Sequence, residues 1–168
     1  MAALFAALNF GNLANITGGA KLEVQQNVRR AMEWIIRDLR QTKKAKLTVY
    51  NSLGQEETFL ELDSGEVFTK PKFEICTGYN TTTKSAKWSD EGNEIGYDFD
   101  SGNRTIVRKD YATENEWRFN YIDDLTFARV DKAFNVNALS VTISGKKTAR
   151  GTIEPTFNLT AEVRLRNE

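Results

Sequence analysis

The 168-residue sequence contains no histidine and only one cysteine. Without histidine the chain cannot build a Ser-His-Asp triad, a Cys-His pair or a histidine-based metal site. One cysteine, Cys76, allows neither an internal disulfide nor a zinc cluster. Because no histidine is available to activate its thiol, we expect Cys76 to be a small packed residue rather than a nucleophile. These absences exclude much ordinary enzyme chemistry.

The sequence also lacks net charge and a long apolar run. Its 23 basic side chains equal its 23 acidic ones, whereas a nucleic-acid-binding protein usually has a basic surplus. Residues 1–20 carry no charge, but polar residues and a glycine interrupt them well short of the roughly 20 apolar residues of a spanning helix. They also lack the basic start of a secretory signal. The length fits a single domain.

The charge is distributed unevenly along the chain. Residues 21–46 carry eight basic and three acidic side chains, and residues 47–168 carry 15 basic and 20 acidic. Apolar residues in the basic segment recur at helical spacing, which predicts an amphipathic helix over about residues 21–45. They are Val28, Met32, Ile35, Ile36 and Leu39. The basic side chains on its other faces could contact nucleic acid or lipid headgroups, but we favour a solvated face.

Two adjacent glycines, Gly18 and Gly19, precede this helix. Together they cost about 2 kcal/mol relative to alanine in a helix interior. The pair therefore predicts that the helix is broken or loosened at this point, which would separate residues 1–20 from the rest of the chain.

From Leu47 onward, apolar and polar residues alternate with a period of two, which predicts one-sided strands of an antiparallel sheet. The clearest runs are 95–99 with 105–108, 117–121, 139–143 and 157–165; shorter ones occur at Leu47 and Val49, Leu60 and Leu62, Phe73 and Ile75, and Leu125 and Phe127. One helix followed by strands over about residues 46–167 predicts an α+β domain, residues 21–168, in which the helix covers the sheet. Residues 77–93 are polar and are predicted to form a surface loop.

Several residues could carry chemistry, and each has a simpler interpretation. Asp98, Asp100 and Asn103 resemble a calcium loop, but Lys109 stands where an EF-hand has its acidic ligand, and a hairpin turn explains the same residues. Ser144 and Lys147 have the S-x-x-K spacing of serine acylases without the partner motifs. We therefore expect no metal or cofactor.

Acidic residues offer a further enzymatic alternative. Glycoside hydrolysis needs two carboxyl groups, which Asp90, Glu91 or Glu94 could supply. Acids in a polar loop are usually only solvated, so we expect no catalytic site and no small-molecule substrate.

The segment Gln25–Thr42, QQNVRRAMEWIIRDLRQT, resembles the helix of type IV pilin-like proteins, especially J-type pseudopilins of type II secretion and W-type minor pilins. Gln26, Arg29, Ala31, Met32, Ile35, Arg37, Asp38, Leu39 and Arg40 stand at the family's positions. Ile95–Phe99 with Thr105–Arg108 resembles its tyrosine hairpin that ends in arginine. Phe157–Asn167 resembles its terminal strand.

The resemblance implies a subunit that acts by assembly, with no catalytic site. Its partners would be other pilin-like subunits and, through an N-terminal half-helix absent here, the inner membrane. The cleavage site and the Phe-x-x-x-Glu start of the mature family protein are not found, so residues 1–20 are expected to be the remnant of the apolar stalk helix. The expected assembly interface is formed by Leu4, Phe5, Leu8, Phe10, Leu13 and Ile16.

The resemblance does not distinguish a secretion pseudopilus from a pilus. It implies a bacterial location, single-pass in the inner membrane and in the periplasm or a cell-surface filament. Two other classes remain open: a surface or secreted binding module, such as a pilus-tip adhesin that uses residues 77–93, and a hydrolase that uses the acidic residues.

Overall fold

A single long helix, α1 (Ala2–Leu39), precedes all the strands. The structure is a computed structural model that describes residues 2–51, 53–89, 94–132, 135–148 and 155–165. For residues 2–13, 44, 131–132 and 135–137 it describes the backbone alone. The helix has 38 residues, which corresponds to a length of about 57 Å at 1.5 Å per residue.

The helix runs without interruption through Gly18 and Gly19, so the predicted break is wrong. Glycine can adopt helical backbone angles, and its cost lowers the stability of a helix without forbidding it. A Cβ atom built on either glycine would meet nothing within 4 Å. The pair is therefore helical, and no neighbouring group requires glycine at these positions.

The C-terminal end of α1 lies earlier than the sequence predicted. The helix ends at Leu39 rather than near residue 45, and the Gln41 and Thr42 amides bond three residues back, to the carbonyls of Asp38 and Leu39. Such i to i−3 bonds tighten the last turn of a helix. A short 3-10 turn, Lys44–Lys46, then leads into the first strand.

The chain after α1 consists of antiparallel strands. In order they are β1 (Leu47–Tyr50), β2 (Glu56–Thr58), β3 (Val67–Phe73), β4 (Cys76–Asn80), β5 (Ser85–Trp88), β6 (Ile95–Asp100), β7 (Thr105–Asp110), β8 (Asn115–Asn120), β9 (Ile122–Lys132), β10 (Asn135–Lys146) and β11 (Thr156–Arg164). Within the described residues, nine of them form a curled sheet in the order β11-β10-β9-β3-β6-β7-β8, with β1 on β3 and β2 on β1.

The helix packs on β8 to β11. Val24, Val28, Met32, Ile35 and Leu39 on its inner face are 0–2% exposed. They join the apolar side of the sheet in one core, to which Val141, Leu159 and Val163 contribute. The predicted α+β architecture, an N-terminal helix covering an antiparallel sheet, is confirmed.

Close approach of helix and sheet depends on one glycine. A Cβ atom on Gly145 of β10 would lie 2.7 Å from Cγ2 of Val28 and 2.8 Å from the Tyr121 carbonyl oxygen. Real Cβ atoms do not approach other heavy atoms so closely, so a side chain here would push α1 away from β10. Gly145 thus allows the helix to settle on the sheet.

Two local predictions were wrong. Leu60 and Leu62 lie in a turn after β2 instead of a strand, with Leu62 buried and Leu60 exposed. Residues 77–93 were predicted to be a loop, but their described part forms most of the β4–β5 hairpin. The hairpin lies at the surface, with Tyr79 63% exposed. The polar composition of this segment indicated a loop, but hydrogen bonds between the two strands satisfy its backbone amide and carbonyl groups.

A bulge in β3 determines which of its side chains face the core. Thr48 of β1 pairs with Lys72, but Tyr50 pairs with Thr69, so the register shifts by one residue. The shift coincides with Lys70, whose φ is +47°. An extra residue of this kind interrupts the alternation of a strand. As a result Phe68 and Phe73, five positions apart, are both buried.

Candidate functional site

The expected assembly residues all lie on α1. The side chains of Leu4, Phe5, Leu8, Phe10 and Leu13 are outside what the structure describes. Ile16 is described and is 40% exposed. The described side chains from residue 14 to residue 19 are exposed or, at Thr17, half-buried, and the first buried helix residue is Ala20. Packing of α1 on the sheet therefore begins at Ala20 within the part of the helix whose side chains are described.

The residues that resemble a calcium loop belong to a hairpin, with Asp98 and Asp100 at the end of β6 and Asn103 in the turn that follows. The Asn103 amide donates to Oδ1 of Asp100 at 2.9 Å, and its side-chain nitrogen donates to Oδ2 at 2.6 Å. These bonds lower the pKa of Asp100, with the side-chain bond as the largest cause. Asp98 lies 3.8 Å from the Lys70 ammonium group. No group of three cysteine or acidic side chains that could hold a metal ion occurs among the residues the structure describes.

Lys147, the lysine of the S-x-x-K pattern, contacts the helix. The Lys147 ammonium group donates to Glu23 of α1 at 2.5 Å and lies 4.3 Å from the centre of the Tyr121 ring. The hydrogen bond between them lowers the pKa of Glu23 and raises that of Lys147. Ser144 is half-buried in β10. Lys147 is thus engaged in holding the helix to the end of β10.

The remaining reactive residues show no catalytic grouping in the described part of the chain. Cys76 is free, half-buried, and lies 3.3 Å from the Gly78 carbonyl oxygen. Glu94 is half-buried, and its backbone carbonyl accepts the Tyr111 amide at 3.0 Å. Asp90 and Glu91 lie outside the described residues.

A buried polar network joins the end of α1 to two strands of the sheet. Asp38 of α1 is 3% exposed, Tyr97 of β6 is 2% and Arg108 of β7 is 5%. Nε of Arg108 donates to Oδ2 of Asp38 at 2.6 Å, and the Tyr97 hydroxyl donates to the same oxygen at 2.8 Å. Charge-assisted bonds of this length are among the strong hydrogen bonds of proteins. We call Asp38, Tyr97 and Arg108 the helix clamp.

Aromatic rings enclose the cation of the helix clamp. The Arg108 guanidinium carbon lies 4.9 Å from the centre of the Trp34 ring and 4.7 Å from that of Trp117. The guanidinium of Arg37 lies over Trp34 at 3.8 Å. Indole rings attract cations, most strongly where water is excluded. Residues of α1, β7 and β8 are therefore held together by this arrangement.

The environment of the clamp keeps Tyr97 protonated and Arg108 charged. Burial raises the pKa of Tyr97 well above its ordinary value, and the charge of Asp38 raises it further. Burial alone would lower the pKa of Arg108, but the hydrogen bond and charge of Asp38 outweigh it, so this pKa is raised. Tyr97 is thus a stable donor and Arg108 a permanent cation.

Sequence reasoning named all three clamp residues but did not join them. Asp38 belonged to the helix pattern, and Tyr97 and Arg108 belonged to the hairpin pattern. The sequence did contain a signal for the clamp. It placed a tyrosine and an arginine on strands predicted to pair, and an aspartate within a helix predicted to cover the sheet. In the structure Tyr97 and Arg108 are register partners on β6 and β7, which presents both side chains to α1.

The resulting architecture, a long N-terminal helix packed on an antiparallel sheet, is compatible with a pilin-like fold. No protein-family description, curated protein or solved structure matches this chain. Among the described residues, no helix is both long enough and apolar enough to cross a membrane.

Proposed function

We propose that this protein is a non-catalytic structural subunit, a minor pilin or pseudopilin, of a type IV pilus or a type II secretion pseudopilus. The observation that carries the proposal is the division of α1. Its C-terminal part, from Ala20 to Leu39, is anchored in the core, while the described side chains of residues 14–19 are largely exposed on the same continuous helix.

The exposed part of α1 would gain stability from packing against another protein. Most helix stability in proteins comes from tertiary packing of one helix face, and the described residues 14–19 contribute little to the core. The sequence of residues 1–20 carries no charge and includes six large apolar residues, of which Ile16 is described and exposed. We propose that this segment packs against the corresponding helices of other pilin-like subunits.

The helix clamp suits such a subunit. A helix shared with neighbouring subunits transmits force to its own domain, and the clamp ties its C-terminal end to β6 and β7 through bonds of 2.6 and 2.8 Å. The Glu23–Lys147 contact at 2.5 Å ties the other end of its anchored part to the residue that follows β10. The two contacts bracket the apolar face between them.

Crosslinking in the source bacterium tests the proposal. In the chromosomal gene, Cys76→Ser removes the native thiol, and Ile16→Cys places a thiol on the exposed part of α1. After its thiol is alkylated with a maleimide-linked photocrosslinker and irradiated, we expect the Ile16→Cys protein to crosslink to other pilin-like subunits. We also expect loss of the gene to impair pili or secretion. The matched control is Thr82→Cys, in the exposed turn of the β4–β5 hairpin.

The hairpin also supports the second candidate function, a surface binding module such as a pilus-tip adhesin. Its described residues from Thr77 to Lys87 are all exposed, and hairpins of two strands are marginally stable alone. Capture of a surface ligand or host molecule at Thr82→Cys, with no crosslink at Ile16→Cys, would favour this candidate over the structural subunit.

We predict that the protein shows no hydrolytic activity. Lys147 is engaged with Glu23, and Ser144 and Cys76 lack an activating base among the described residues. A panel of ester, peptide and glycoside substrates should give background rates. Turnover that disappears on changing Asp90, Glu91 or Glu94 would contradict the structural role and support a hydrolase.

A further inference from the structure

The outer side of the sheet, away from α1, contains a pocket of about 420 Å³. Its walls come from β1, β3, β6, β7 and the turns beside them, and include Tyr50, Lys70, Lys72, Asp98, Lys109 and Tyr111. Sites for small ligands usually measure 300–1,000 Å³ and combine apolar surface with a few convergent polar groups. The pocket has this size and this mixture, and Tyr97 is the one residue of the helix clamp that also lines it.

The β3 bulge adds Thr69 to the pocket wall on which Lys70 and Lys72 already lie. In regular alternation Lys70 and Lys72 would share the face opposite Thr69. The register shift between Thr48 and Tyr50 of β1 places Thr69, Lys70 and Lys72 all on the pocket wall while the flanking phenylalanines stay buried. The left-handed backbone of Lys70, with φ of +47°, marks the same point. Bulges are over-represented beside functional sites because they redirect side chains.

Positive charge in the pocket is only partly balanced. Lys70 lies 3.8 Å from Asp98, and Lys109 lies 3.5 Å from Glu116, which also bonds Arg118 at 2.8 Å. Lys72 has no carboxylate within ion-pair distance in the part of the chain that the structure describes; its ammonium group lies 5.0 Å from the centre of the Tyr111 ring. This excess occurs in the segment 47–168, which is acidic overall.

Two tyrosines supply the apolar surface. Tyr111 is 40% exposed and lies against Gly96, where a Cβ atom would be 2.9 Å from its Cε2. The missing side chain of Gly96 therefore allows the ring to lie on β6. The Tyr50 hydroxyl donates to Glu56 at 3.1 Å, a bond that raises the pKa of Tyr50. Both rings are thus fixed at the pocket by contacts within the protein.

We infer that this pocket binds an acidic sugar, whose pyranose face stacks on a tyrosine ring while its carboxylate pairs with the lysines. Aromatic rings bind the C–H face of a sugar through their electron-rich π-system, and ammonium–carboxylate pairing adds a charge-assisted bond. Asp98 is available to accept a sugar hydroxyl. A nucleic acid strand fits less well, because its phosphates need an extended basic track, and here acids interrupt the lysines.

Calorimetric titration of the intact protein with the trimer of galacturonic acid tests this inference. We expect saturable binding at millimolar ligand or below, and much weaker binding of the neutral galactose trimer. Lys72→Gln should weaken binding roughly tenfold, the typical worth of one charge-assisted bond. Tyr111→Ala should weaken it by a similar factor. The matched control Lys21→Gln, on the exposed side of α1, should leave it unchanged.

Three results would overturn the inference. One is absence of galacturonate binding by the folded protein at millimolar concentration. Another is equal weakening by Lys72→Gln and Lys21→Gln, since binding would then lie elsewhere. The third is binding of a single-stranded oligodeoxynucleotide without binding of the sugar. The proposed assembly role is read from crosslinking at Ile16 and does not depend on these outcomes.

Discussion

At the scale of single residues, the helix clamp is the feature with the largest expected effects. A carboxylate and a guanidinium are buried together, each 3–5% exposed. Burying a charge is costly unless it is paired and hydrogen-bonded. Tyr97 donates to the same oxygen of Asp38 as Arg108 does. The energetics of the clamp therefore depend on all three residues being present together.

Removing the cation should destabilise the fold strongly. Arg108→Met leaves Asp38 buried without its main partner, and such a change typically costs about 3–5 kcal/mol. Arg118→Met is the matched control, because Arg118 bonds Glu116 at 2.8 Å with 58% of its side chain exposed. Exposed pairs contribute about 0–1 kcal/mol. Urea denaturation of both variants measures the two losses in the free energy of unfolding. Equal losses would show that the buried Asp38–Arg108 pair contributes no more than an exposed ion pair.

The raised pKa of Tyr97 predicts a dependence of stability on alkaline pH. The unfolded chain releases this proton near its ordinary pKa of 10.0, whereas the folded protein retains it. Below pH 10 the stabilisation that this proton gives to the folded state is fully present. Above pH 10 the free energy of unfolding falls by up to about 1.4 kcal/mol per pH unit for one proton.

Tyr97→Phe tests this dependence. The variant should lose about 1–3 kcal/mol at neutral pH with the hydrogen bond to Asp38, and its stability should fall less steeply above pH 10. Tyr79→Phe, at a position 63% exposed, should keep the original slope. Denaturation midpoints measured from pH 7 to pH 11 would distinguish them; parallel curves for both variants would refute the assignment.

At the scale of elements, α1 and the sheet stabilise each other through one face of the helix. The buried face of α1 is a stripe of five apolar side chains, each 0–2% exposed: Val24, Val28, Met32, Ile35 and Leu39. The stripe meets β10 and β11, and Gly145 permits the close approach. Neither element could bury its apolar side alone.

Neighbouring residues at the end of α1 give a direct test of this face. Leu39 is fully buried and Arg40 is exposed. Leu39→Ala should cost about 2–5 kcal/mol, the usual range for a buried leucine. Arg40→Ala should change stability by about 0.5 kcal/mol or less, as surface substitutions usually do. Equal losses in chemical denaturation would mean that the helix face is assigned wrongly.

At the scale of the whole molecule, the helix divides the chain into an anchored body and a leading segment. Side-chain burial on α1 begins at Ala20 among the described residues. Gly18 and Gly19 have open space around them. The body contains its own core from Val24 to Leu165, and we therefore expect its folding not to require the segment before Ala20.

Deletion of residues 1–19 should therefore leave the melting temperature nearly unchanged. The same deletion should reduce self-association at high protein concentration, because exposed apolar surface favours association. Melting curves and light scattering on the two chains check both statements. Unfolding of the shortened chain would place residues 1–19 in the core and would remove the basis of the proposed assembly role.

The pattern of the sequence alone was sufficient for the buried face of α1 and for the strands with clear alternation, but not for β2, β4 and β5. Helical spacing from Val28 to Leu39 predicted the buried stripe, and alternation predicted β6, β7, β10 and β11, because both periods depend only on neighbours along the chain. Prediction from sequence was wrong where the free-energy cost of a residue in a helix was too small to break it, and where a strand was too short to show alternation. Gly18 and Gly19 remained helical, and β2 is polar and three residues long.

Tertiary structure alone decided which elements meet. Tyr97 and Arg108 lie 59 and 70 residues from Asp38 along the chain, and no period relates such distant positions. They meet because β6 and β7 pair in register beneath the end of α1. The pocket has the same origin, since the β3 bulge is defined by pairing with β1. Local periodicity determines which face of a helix or strand is buried. Pairing between distant strands determines which other residues the buried face and the opposite face come into contact with.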